Sequence, residues 1–80
     1  MIEIYTAMCA TCGVEGLYVR SIKSHYEGIG KEVKVYNSKY ESERRAEHLN
    51  YLVDAGLDAS EYTSILVEDG KVTELRQWQF

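Results

Sequence analysis

Residues 5–16 read YTAMCATCGVEG and hold both cysteines of the 80-residue chain, Cys9 and Cys12, with Ala10 and Thr11 between them. Three positions apart, the two thiols close too small a loop to staple a fold, so stabilising the chain is not their main task. The residue types alone leave three readings: a redox couple, half of a metal site, or two buried inert thiols. The segments on either side say where in a fold the pair sits.

Upstream, IEIY (2–5) alternates apolar and polar residues and is β-branched, which reads as a strand. Downstream, a helical pattern begins at Thr11, with Val14, Leu17, Tyr18 and Ser21 on one face and Ile22 beside it. Gly13 and Gly16 each weaken that helix by roughly 1 kcal/mol relative to Ala, which suits a place where something approaches the backbone closely. Gly28 is the expected stop. KEVKVYN (31–37) alternates again and reads as a second strand. In SKYE (38–41), Ser38 and Glu41 have the form of a capping box. The helix that follows turns Ala46, Leu49, Leu52 and Val53 inward, and Glu43, Arg44, Arg45 and Glu47 outward. Gly56 fits the left-handed cap position, with Leu57 folding back on Leu52 as in a Schellman motif. YTSILVE (62–68) and KVTEL (71–75) are strands joined by Asp69-Gly70, a type I′ hairpin signal. Trp78 and Phe80 are expected to fold back onto the sheet. The order is β-α-β-α-β-β, a single α/β domain over residues 1–80 with a four-stranded mixed sheet and two helices.

Composition narrows the function. Apolar residues make up 45% and charged residues 28%, which is globular rather than disordered. The net charge of −4 and the lack of a basic stripe argue against nucleic acid. No 18-residue apolar run and no signal-peptide pattern occurs, so the expected location is cytoplasmic, with no membrane partner. In that compartment a lasting structural disulfide is unusual, and C-x-x-C points to catalysis or metal. For metal, only His25 and His48 could complete a ligand set; they fall near the end of the first helix and within the second, away from the cysteine turn, so no metal site is expected. Both histidines read as solvated, and ESERRAEH (41–48) reads as an exposed helix face.

A C-x-x-C between the first strand and first helix of β-α-β-α-β-β resembles the thioredoxin superfamily, and its glutaredoxin-like small redoxins in particular. IEIYTAMCATC looks like a glutaredoxin opening, and SILVEDGKV like the family's C-terminal hairpin. The likeness in element order spans the whole chain; in residues it rests on the cysteine pair, the Tyr-Thr before it and the Asp-Gly hairpin. The family's third helix has no counterpart, as in the trimmed redoxins common among phage proteins. The resemblance implies a dithiol–disulfide oxidoreductase, an electron carrier that reduces protein disulfides, such as those of ribonucleotide reductase. Cys9 would be the attacking thiolate, favoured by the helix N-terminus, and Cys12 the resolving thiol, one turn in and more buried.

Two departures bear on the site. The family's cis-proline is absent: the glutaredoxin pattern puts Ser64 at its place, the thioredoxin pattern Tyr62, with the Thr63 backbone left to pair with substrate. The lysine before the first cysteine and the Gly-Gly after the hairpin are also absent, which disfavours a glutathione site. No bound cofactor is expected, with glutathione or a reductase as candidate recycling partner. Tyr5, Met8, Tyr62, Thr63 and Ser64 are the candidate substrate-binding residues, and a monomer is the expected state. The alternative is a redoxin scaffold that binds a protein partner without turnover.

Overall fold

Along the first strand, period-two alternation divides the core in two. The computed structural model describes residues 1–37 and 42–77. In it, β1 (Ile2–Thr6) sends Ile2 and Ile4 to one face of the sheet and Tyr5 to the other. Helix α1 (Gly13–Gly28) covers the first face through Val19, with Tyr18, Ile22 and Tyr26 beside it. Helix α2 (Ser42–Asp54) covers the second through Leu52 and Tyr51. β2 (Val33–Asn37), β3 (Tyr62–Glu68) and β4 (Lys71–Gln77) complete a sheet of order β2-β1-β3-β4. β1 runs parallel to β2, as a helical crossover requires, and antiparallel to β3; β3 and β4 form the hairpin. A short 3₁₀ turn, Ala59–Glu61, leads into β3, its start capped by the Asp58 carboxylate, which accepts from the Ser60 N–H at 3.0 Å. Ile4, Ile65 and Val67 are fully buried, each contributing about 1.5–3 kcal/mol by leaving water.

The turn chemistry follows the expectations closely. Asp69 (φ 51°) and Gly70 (φ 82°) are both left-handed, the type I′ geometry. At the end of α2, Leu57 N–H donates to Leu52 O and Gly56 N–H to Val53 O, both at 2.9 Å, with Gly56 at φ 73°. That is the Schellman pair. α1 ends the same way. The helix stops at Gly28 as expected; the left-handed residue that closes it is Gly30 (φ 83°), and Lys31 and Gly30 close back on Tyr26 and Glu27.

The helix faces need correction. Val14 and Leu17 are 66% and 63% exposed, and α1 instead lays Glu15, Tyr18, Val19, Ile22 and Tyr26 toward the sheet. In α2, Ala46, Leu49 and Val53 are exposed, and the inward stripe is Arg44, Glu47, His48, Tyr51 and Leu52. His48 is buried rather than solvated, 6.0 Å from the Tyr5 ring centre to centre. One cause serves both helices. Glu15 and Glu47 are accepted inward because the strands beneath supply polar partners: Ser64 and Arg76 for Glu15, the Tyr5 hydroxyl for Glu47. The capping box at Ser38 and Glu41, and the return of Trp78 and Phe80, lie outside the described residues.

Candidate redox site

The loop between β1 and α1, residues 7–12, carries Cys9 and Cys12, joined in a disulfide with their Cα atoms 5.6 Å apart. Both cysteines are exposed. The helix begins at Gly13, later than the expected Thr11, and Cys12 is its extended N-cap residue (φ −137°, ψ 160°). Cys12 therefore stands at the mouth of the helix instead of a turn inside it. Cys12 holds the N-cap position of α1, but its side chain makes no capping hydrogen bond to the first-turn amides. Cys9 has a different polar neighbour: the Thr11 hydroxyl, 3.6 Å from its sulfur.

Gly13 (φ 62°) makes the turn from the loop into the helix. Gly16 serves a different need. A Cβ there would meet the carbonyl carbon of Thr11 at 2.7 Å, so the loop seats directly on the first turn of α1. The close backbone approach expected at both glycines is found at Gly16 alone; a Cβ on Gly13 would meet nothing within 4 Å.

Beside the disulfide lies an open groove of about 360 Å³, lined by Met8, Cys9, Cys12, Gly13, Val14, Glu15, Thr63 and Gln77. Met8 and Thr63, two of the expected substrate-binding residues, both line this groove, Met8 with 38% of its surface exposed. The Thr63 carbonyl is already engaged, accepting from Ala7 N–H at 2.8 Å. Ser64 is fully buried beneath the loop and cannot touch a ligand in the groove.

The two tyrosines are elsewhere. Tyr5 is fully buried on the α2 face, stacked on Tyr36 at 5.0 Å and tilted against Tyr51. Its hydroxyl lies 2.7 Å from a Glu3 oxygen and 2.8 Å from a Glu47 oxygen. Burial first, then these carboxylates, raise its pKa far above the usual tyrosine value, so it stays protonated. Tyr62 is half-buried against the same cluster. Period-two alternation explains the correction: Tyr5 must face away from Ile4 and Thr6, and the α1 side is the one that carries the cysteine loop.

Several groups at the site were not foreseen: Thr11, Glu15, Gln77, and a polar chain under the loop. Glu15, nearly buried, is held by Arg76 through Nε and Nη2, each 3.0 Å from Oε1. The Arg76 guanidinium lies over the Tyr18 ring at 4.2 Å. Ser64 Oγ is 2.9 Å from Glu15 Oε2 and 2.8 Å from Thr6 Oγ1. A hydroxyl has one proton and a carboxylate only accepts, so Ser64 donates to Glu15 and Thr6 donates to Ser64. Thr6 Oγ1 in turn accepts from Met8 N–H at 3.1 Å. Glu15, an acidic residue in a first helical turn three positions after Cys12, is the part of this a sequence can signal.

Among the described residues no group of three or more His, Cys, Asp or Glu side chains could hold a metal ion, and no helix is long and apolar enough to cross a membrane. In comparison with known proteins, no family model, no curated protein and no solved structure matches the chain.

Proposed function

We propose that this chain is a small thiol–disulfide oxidoreductase of thioredoxin-like, glutaredoxin-like architecture that reduces protein disulfides. The observation that carries the reading is the exposed Cys9–Cys12 disulfide at the β1–α1 junction, bordering an open groove. The sheet order β2-β1-β3-β4 with its one parallel pair supports the same architecture.

In the reduced protein the Cys9 thiolate attacks one sulfur of a substrate disulfide. The substrate S–S bond breaks, a mixed disulfide forms, and the second substrate sulfur leaves as a thiolate that takes a proton from water. The Cys12 thiol then gives its proton to water and its sulfur attacks Cys9 Sγ. The mixed disulfide bond breaks, the first substrate sulfur departs as a thiolate that takes a proton from water, and the protein is left as the Cys9–Cys12 disulfide. Two electrons have passed to the substrate, and a dithiol reductase or glutathione returns them.

The groove favours a polypeptide over glutathione as the direct substrate. Met8 and Val14 offer apolar contact, and among the described residues the only charged lining side chain is the acidic Glu15. Among the described lining residues the two carboxylates of glutathione would meet no cation. A reducing, cytoplasmic setting fits a carrier of this kind.

The test is equilibration in graded dithiothreitol buffers, with free thiols counted by alkylation and mass. The expected result is one two-electron transition between roughly −300 and −150 mV. Cys12→Ser should accumulate mixed disulfides through Cys9, and Cys9→Ser should lose reductase activity. A protein that forms no reversible intrachain disulfide does not have this function, and partner docking without turnover takes its place.

A further inference from the structure

The polar chain beneath the loop is anchored on either side of the cysteine pair. On the Cys12 side it holds Glu15, three residues into α1. On the Cys9 side it holds the backbone N–H of Met8, the residue before Cys9. Between them run Ser64 of β3 and Thr6 of β1, both fully buried. Arg76 of β4 anchors the far end. Four separate elements thus meet in one chain, which reaches the six-residue loop at the Met8 N–H.

We infer that the Arg76–Glu15–Ser64–Thr6 chain is a clamp that positions the two thiols for each other, so that Thr6, Ser64 and Glu15 are positioning residues that set the dithiol–disulfide equilibrium. The inference rests on the oxidoreductase reading above.

The physical reason is effective concentration. An intrachain disulfide forms in proportion to how often the two sulfurs meet in the right orientation, and groups that fix both ends of the loop raise that frequency. The clamp does this without touching either sulfur. In a loop with no proline at all, it supplies restraint through side chains that ring closure would otherwise supply through the backbone. Because Ser64 and Thr6 are buried and Glu15 nearly so, the bonds are shielded from competition by water.

The reaction measured is protein disulfide plus dithiothreitol giving protein dithiol plus oxidised dithiothreitol. Two protons and two electrons pass from reagent to protein. A residue that only stabilises the fold lowers the oxidised and reduced forms alike and cancels from this equilibrium; a clamp acts on the oxidised form more strongly.

Thr6→Val keeps the shape and removes the hydroxyl, and Ser64→Ala cuts the chain at its centre; neither moves a charge. Each should shift the equilibrium toward the dithiol by about three- to tenfold. Thr6→Ser, which keeps the hydroxyl, should stay within about twofold of the unaltered protein. Glu47→Gln, on the opposite face, should lower the melting temperature and leave the equilibrium in place. If Thr6→Val and Ser64→Ala both titrate within twofold of the unaltered protein, the clamp is wrong and the oxidoreductase reading stands. If the unaltered protein has no reversible intrachain disulfide, both are wrong.

Discussion

The backbone of Thr11 occupies the space that a side chain on Gly16 would need, with the Thr11 carbonyl carbon 2.7 Å from the place of that Cβ. The cysteine loop is therefore seated on the helix it precedes. Gly16→Ala gains about 1 kcal/mol of helix propensity and meets an overpacking cost of about 1–3 kcal/mol, for a net loss of up to about 2. Gly28, with nothing within 4 Å of its would-be Cβ, is the control. Gly28→Ala should be neutral or gain up to about 1 kcal/mol. Urea denaturation of the two variants checks this, and a stabilising effect at Gly16 would mean the loop is not seated there.

Thr11 also bears on chemistry, through its hydroxyl 3.6 Å from Cys9 Sγ. A hydrogen bond to sulfur favours the thiolate over the thiol. Thr11→Val should slow alkylation of reduced Cys9 at pH 7 by about two- to fivefold, a loss of up to about 1 kcal/mol. Thr11→Ser should restore the rate. Equal rates in all three proteins would remove Thr11 from the mechanism.

Tyr5 tests the division between the two faces. Tyr5→Phe takes away the donor that meets Glu3 and Glu47, at a cost of about 1–3 kcal/mol. Because the ring lies on the α2 side, the thiol–disulfide equilibrium should not move. A shift in that equilibrium would put Tyr5 back into the substrate site.

His48 gives the protein an acid-sensitive element. Burial, and then the nearby Arg45 charge, lower its pKa below the usual 6.5. In the unfolded chain His48 takes up a proton near pH 6.5; in the folded chain it does so only at lower pH. The unfolded state binds more protons in that window, so stability is full above about pH 6.5 and falls as pH drops toward the folded value, by at most about 1.4 kcal/mol per unit. Asp58 and Asp69, with pKa values lowered by their hydrogen bonds to Ser60 and to the Met1 ammonium, act only below the carboxylate value of 3.8. Urea midpoints at pH 7.5 and 5.5 should differ, and His48→Phe should flatten the difference. A midpoint that does not fall between these pH values would contradict the buried placement.

The strands and turns were legible because their signals are local. Ile2 and Ile4 alternate with their neighbours, Asp69-Gly70 can adopt few other turns, and Gly56 with Leu57 spells its cap within a few residues. The cysteine site was legible as a location for the same reason. The helix faces were not. Hydrophobicity alone turns Glu15 and His48 outward and Leu17 and Val53 inward, whereas the molecule does the opposite. The partners that make this tolerable come from far along the chain: Ser64 and Arg76 reach Glu15 from 49 and 61 positions away, and Tyr5 reaches Glu47 from 42. A linear pattern holds no record of those distances. The face of Tyr5 was recoverable, since alternation from Ile4 assigns it.

Of the four strands, β1 is synthesised first and yet lies inside the sheet, with Ile2 opposite Val33 on one flank and Glu68 on the other. Its second neighbour emerges only near the end of the described chain. Pairing across so long a separation slows folding more than it weakens the product. On the ribosome, the cysteine loop leaves the exit tunnel long before Ser64 and Arg76, the residues that tie it down. The thiols thus spend the period of synthesis on an unfinished support, open to whatever the surrounding redox buffer imposes. The cysteine loop reaches working order only once β3 and β4, made after it, are in place.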